Sequence, residues 1–181
     1  VVSWLEVKGK LEALDRSWQE LYEKASDHSS QNASLNKVIS FLASSIDISN
    51  QSDEWSCINM SYHILNGTVK PLENLLICVR IDASVRYQIS GKYLLATDRG
   101  GQQKIKANWK LLEDHHNEDG EYWFSYLGEK VNRADRAEPL PLTLTWPAKE
   151  KYRFKIDAFY YSNRDEEGLP VDNPLLLNVT S

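Results

Sequence analysis

From residue 55 onward the apolar residues of this chain recur with a period of two, and that alternation constrains the fold more than anything else in the sequence. In "EWSCINMSYHIL" Ile58, Met60, Tyr62 and Ile64 share one side, with Ser56 at its edge. "LLICVRI" puts Leu75, Ile77, Val79 and Ile81 on one side and Leu76, Cys78 and Arg80 on the other. "SVRYQIS", "KIKANWKL", "LPLTLTW" and "KYRFKIDAFYY" alternate in the same way, and "LLLNV" closes the set. Successive side chains of an extended strand point to opposite faces, so this pattern builds a sheet with one buried face; on a helix the same residues would be scattered around the axis.

Turn signals separate the runs: Asn66-Gly67, Ser90-Gly91, Gly100-Gly101, Asp119-Gly120, Pro147 and Gly168-Leu169-Pro170. Seven or eight short strands with no helical period between them predict an antiparallel sandwich, immunoglobulin-like or related, over residues 53–181. A closed barrel has the same pattern and stays open as an alternative. If the strands beside Asn66-Gly67 form a tight hairpin, Cys57 falls opposite Cys78; a cross-strand disulfide is then one expectation and two free thiols the other.

The first quarter has a different period. Trp4, Val7, Leu11, Leu14, Trp18, Leu21, Ala25, His28, Asn32, Leu35, Ile39, Leu42 and Ile46 follow one another in alternating steps of three and four. This is the a/d repeat of a coiled coil, with charged residues between its seam positions. The weak point is "ASDHSSQNASLN", rich in Ser and Asn. No Gly or Pro occurs between Lys10 and Asn66, and the phase of the repeat survives the crossing. The expectation is therefore α+β: a long helical stem over residues 1–48 followed by the sandwich. A helical hairpin turning near Ser29 is the rival. The seam (Trp4, Leu11, Leu14, Trp18, Leu21, Asn32, Leu35, Ile39 and Leu42) would make a homodimer, Asn32 fixing its register.

Composition excludes several classes. Net charge is −5 with both signs interspersed, so no basic stripe offers itself to nucleic acid. No apolar run approaches the roughly 18 residues a membrane-spanning helix needs. Sparse cysteines and the lack of a basic-then-apolar leader lean toward the cytoplasm, a lean weakened by a first residue that is Val1 and not Met. Five Asn-x-Ser/Thr triplets begin at Asn32, Asn50, Asn59, Asn66 and Asn178; in a chain this rich in Asn and Ser they read as coincidence.

Motifs that carry chemistry are scarce. "EDHHNEDGE" (Glu113 to Glu121) gathers His115, His116 and several carboxylates, but one loop seldom brings ligands around a metal from several directions, and it reads as a solvated hairpin turn. "NRDEEG" (Asn163 to Gly168) reads the same way. No nucleophile elbow, phosphate-binding loop, dinucleotide turn or zinc-protease helix is present, and no cofactor is expected.

Aromatic residues are the remaining feature. "EYWFSYL" and "AFYY" carry rings on consecutive residues, so both faces of those strands are aromatic and one points away from the core. That outer face is either a second packed surface or a platform for a ligand, with Trp109, Trp123 and Tyr161 the candidates. Function is accordingly expected to be non-enzymatic. The leading expectation is a dimeric scaffold presenting the sandwich to a protein partner. Next comes a carbohydrate-binding sandwich using the exposed rings. Last is a hydrolase with carboxylates on the sheet, which would leave no local motif.

Overall fold

A computed structural model describes residues 37–49, 51, 54–95, 107–112, 120–148 and 151–179. Ten strands account for most of them: β1 (Val38–Asp47), β2 (Trp55–Asn66), β3 (Leu76–Ala83), β4 (Gln88–Gly91), β5 (Trp109–Leu111), β6 (Glu121–Tyr126), β7 (Leu140–Pro147), β8 (Tyr152–Ser162), β9 (Asp165–Pro170) and β10 (Leu175–Val179). They form two antiparallel sheets. One has the order β1-β2-β7-β4; the other has the order β10-β8-β3-β6-β5, with β9 also paired to β8. The barrel alternative is thereby removed, since the sheets are separate.

The alternation places the core as expected. Ile58, Met60, Tyr62 and Ile64 of β2 and Leu140, Leu142, Leu144 and Trp146 of β7 face Ile77, Val79 and Ile81 of β3 and Phe154, Ile156 and Ala158 of β8 across the gap between sheets. Rings interlock at one end: Trp146 lies 4.6 Å from Phe154 and 5.4 Å from Tyr152, centroid to centroid. Burying a side chain of this kind contributes about 1.5–3 kcal/mol.

The stem is corrected by β1. No helix occurs among the described residues, and Val38–Asp47, assigned by the heptad pattern to the end of a coiled coil, is a ten-residue strand paired with β2 from Val38↔Asn66 to Asp47↔Cys57. Two seam residues fall in it. Leu42 is in the sandwich core, and Ile39 sits on the opposite, outward side, beside Leu65. "VISFLASSID" satisfies both periods, because Ile39, Leu42 and Ile46 fit steps of three and four while Ser40 and Leu42 alternate with Ile39 and Phe41. Its β-branched and aromatic residues favour a strand, Ser40, Ser44 and Ser45 weaken a helix, and the neighbouring strand decides. A lack of Gly and Pro permits either structure. The continuous helix over residues 1–48 therefore fails, and the homodimer drawn along it is left without support; Trp4, Leu11, Leu14, Trp18, Leu21, Asn32 and Leu35 lie outside the described residues.

The hairpin between β2 and β3 is corrected too. The two strands belong to different sheets, joined by a crossing over residues 67–75. Asn66, fully buried, anchors that crossing. Its Nδ2 donates to the carbonyls of Lys70 (2.8 Å) and Val131 (2.9 Å), and its Oδ1 accepts from the Thr68 backbone N–H at 2.9 Å. Cys57 and Cys78 consequently face outward from opposite sheets as free thiols, and no disulfide joins them.

Candidate functional site

The outward face of the six-stranded sheet is built by the even residues of β3 and the odd residues of β6 and β8. Their registers set them in rows: Leu76 between Ser125 and Tyr161, Cys78 between Trp123 and Phe159, Arg80 between Glu121 and Asp157, and Asp82 beside Lys155. The face thus divides into an aromatic half and an ionic half. This follows directly from the sequence: "YW" and "FYY" put Trp123, Phe159 and Tyr161 out while Phe124, Ala158 and Tyr160 go in.

In the aromatic half the Trp123 and Tyr161 rings meet across β3 with centroids 5.0 Å apart and planes inclined at 39°. Both are partly exposed, as is Phe159. They roof Cys78, which is only 1% exposed although it lies on the outer face. Burial, reinforced by the Glu121 carboxylate and opposed by Arg80, pushes its thiol up to about 11. Burial likewise raises the Tyr161 phenol. Beneath Tyr161 is Gly168 of β9, with φ +79°. A Cβ at that position would overlap the Tyr161 ring, so the ring lies flat across bare backbone.

In the ionic half Arg80 donates through Nε to Glu121 Oε1 at 2.8 Å, with Nη2 at 2.6 Å from the same oxygen. Its guanidinium also stands 5.4 Å from the centre of the Phe159 ring, a cation–π position that links the two halves. Arg153 pairs with Asp82 at 3.0 Å and Lys155 with Asp157 at 2.9 Å. Next to these charges an open cleft of about 320 Å³ is lined by Arg80, Ile81, Asp82, Ala83, Tyr87, Gly120 and Glu121.

Of the three rings singled out from sequence, the structure brings Trp123 and Tyr161 together and sets Trp109 apart. Trp109 is 1% exposed, packs on Tyr126 at 4.9 Å and donates its indole N–H to the Glu138 carbonyl at 2.8 Å. Its face is spent in the core. Sequence reasoning did not find Phe159, Arg80 or Gly168. The signal was there for Phe159, which shares the outward parity of Tyr161; Gly168 read as a turn and proves to lie inside β9. Residues 113–119, with His115 and His116, lie outside the described residues. No group of three or more metal-ligating side chains occurs among the described ones, and among them no helix is long and apolar enough to cross a membrane.

Fold and face together define an antiparallel β-sandwich with a partly open aromatic outer surface. No family model matches the chain, and no curated protein matches it in sequence. Among solved structures it is similar to the cohesin module of a family 33 glycoside hydrolase from Clostridium perfringens, at 11% identity and a TM-score of 0.45, over 80% of this chain and 97% of that one. It is also similar to part of an exo-β-N-acetylglucosaminidase from Vibrio harveyi, at 10% identity and a TM-score of 0.32, over 79% of this chain and 17% of that one. Likeness at this level bears on neither function nor partner.

Proposed function

We propose that the domain is a non-catalytic binding module that takes carbohydrate on the outward face of its six-stranded sheet. The observation that carries this reading is the Trp123–Tyr161 pair, held 5.0 Å apart on a rigid sheet and bordered by hydrogen-bonding groups. A pyranose ring has an apolar C–H face that stacks on an aromatic ring and an equatorial rim of hydroxyls that need donors and acceptors. Trp123, Phe159 and Tyr161 supply the first; Ser125, Arg80, Glu121 and Asp157 supply the second. Sites on strands hold such groups more rigidly than loops do. Retention of the full chain on a panel of insoluble polysaccharides tests the reading. At least one should retain it, and Trp123→Ala with an unchanged circular dichroism spectrum should reduce retention tenfold or more. Equal retention of the variant overturns it.

A protein-binding module is the second reading, favoured by the edge of β10, which has no strand beyond it among the described residues. Leu175–Val179 ends its sheet without Pro or a charged residue, and Leu176 is 69% exposed. Such edges recruit a further strand. Light scattering of the native chain beside Leu176→Lys tests this: a mass above the monomer that falls in the variant supports it, and a monomer in both counts against it.

A further inference from the structure

Resting on the carbohydrate reading, we infer that the ligand is a neutral glycan and that its binding is insensitive to salt. The six charged side chains of the ionic half are three cations and three anions, and each is closed in a pair: Arg80 with Glu121, Arg153 with Asp82, Lys155 with Asp157. Among the described residues these three pairs cancel one another, so the ion-paired rows present no net charge to an approaching ligand.

The tightest pair also resists being opened. The Glu121 side chain is 11% exposed, and a uronate or sulfate drawing Arg80 away would leave that carboxylate shielded from water and unpaired. Removing the partner of a buried charge is strongly unfavourable. The guanidinium is held a second time by the Phe159 ring. A neutral hydroxyl, by contrast, can accept from or donate to these groups while all three pairs stay closed. Lys110 is a further cation of this face, across from Ser125 on the edge strand β5; it stands at the border of the aromatic half, outside the ion-paired rows. One screened charge there adds little at physiological ionic strength.

Affinity electrophoresis of the full chain tests this. Native gels would carry a neutral β-glucan, xylan or mannan, or anionic polygalacturonate, alginate or dextran sulfate, at 50 and 500 mM NaCl. The expected result is retardation by at least one neutral polymer, changed less than twofold by salt and by Lys110→Ala, with none by the anionic polymers. Retardation by an anionic polymer that is lost at 500 mM NaCl overturns the inference. If Trp123→Ala also abolishes that retardation, the aromatic platform survives and only the neutrality of its ligand falls. Migration unaffected by every polymer removes the carbohydrate reading itself, and the inference with it.

Discussion

The side-chain amide of Asn173 takes both backbone hydrogen bonds of Leu42, 131 residues earlier in the chain. Leu42 N–H donates to Asn173 Oδ1 at 2.8 Å, and Asn173 Nδ2 donates to the Leu42 carbonyl at 2.8 Å. The Asp172 backbone N–H adds a bond to the Ser40 carbonyl at 3.0 Å. One asparagine thus acts as a one-residue strand on the open edge of β1. It blocks that edge against pairing and ties the middle of the chain's first described strand to the corner before β10. Asn173→Ala should cost about 1–3 kcal/mol, read as a fall in the urea midpoint at constant slope. Asn173→Asp should not restore it, because a carboxylate has no donor for the Leu42 carbonyl. A loss below about 0.5 kcal/mol, the range of ordinary surface changes, would contradict this role.

The two cysteines should differ sharply toward a thiol reagent. Cys57 is partly exposed on the four-stranded sheet, whereas Cys78 lies under Trp123, Phe159 and Tyr161 with its thiol pushed up to about 11. Only the thiolate reacts. At pH 8 one thiol should be modified quickly and the second only on addition of denaturant. Two fast thiols would mean that the aromatic roof is open.

Alkaline stability should fall in a defined window. The Tyr160 phenol is pushed up to about 12, mainly by burial and then by Asp165, and burial raises Tyr62 further still; Cys78 moves in the same direction. A folded-state pKa above the unfolded one stabilises the native state below the unfolded pKa, and that contribution is lost as pH rises through the interval. The unfolded values are 10.0 for the phenols and 9.0 for the thiol. Stability should therefore decline from about pH 9 upward. His63 is shifted the other way, lowered from 6.5 by burial and then by Arg136, so its contribution is lost as pH falls below 6.5. Thermal midpoints measured between pH 5 and 11 should form a plateau near neutrality, and a midpoint still rising above pH 10 would contradict the assignment.

Gly168→Ala should separate fold from binding. The new methyl meets the Tyr161 ring and forces φ +79° on a residue with a side chain. The backbone term is about 1–2 kcal/mol. The sandwich should remain folded with a lower melting temperature, while the displaced Tyr161 ring should weaken glycan retention severalfold. Unchanged retention would show that Tyr161 does not contribute.

Much of the β body was legible in the sequence because a period of two is a local property. The buried residues of β2, β3, β7 and β8 follow from it, and so does the aromatic outer face. What a strand pairs with is not local. Cys57 and Cys78 read as neighbours across a hairpin, yet Asn66 and its bonds to Lys70 and Val131 send the chain to the other sheet. Val38–Asp47 carries two periods at once, and its pairing with β2, remote in any local window, settles which one it obeys. Trp109 shares the apolar parity of Ile105 and Ala107 and turns inward, whereas Trp123 lies in an all-aromatic run whose parity only the pairing of β6 with β3 settles. Gly168 reads as punctuation because nothing short-range says that Tyr161 will lie on it.

The chain has six tryptophans, and their indole N–H signals report the central claim directly. Proton–nitrogen correlation spectra recorded during titration with the polysaccharide that retards the chain should show the Trp123 signal moving most, with Trp109 and Trp146, both in the core, nearly still. Largest movement at Trp55, on the other sheet, with Trp123 unmoved, would place the ligand elsewhere and contradict the account.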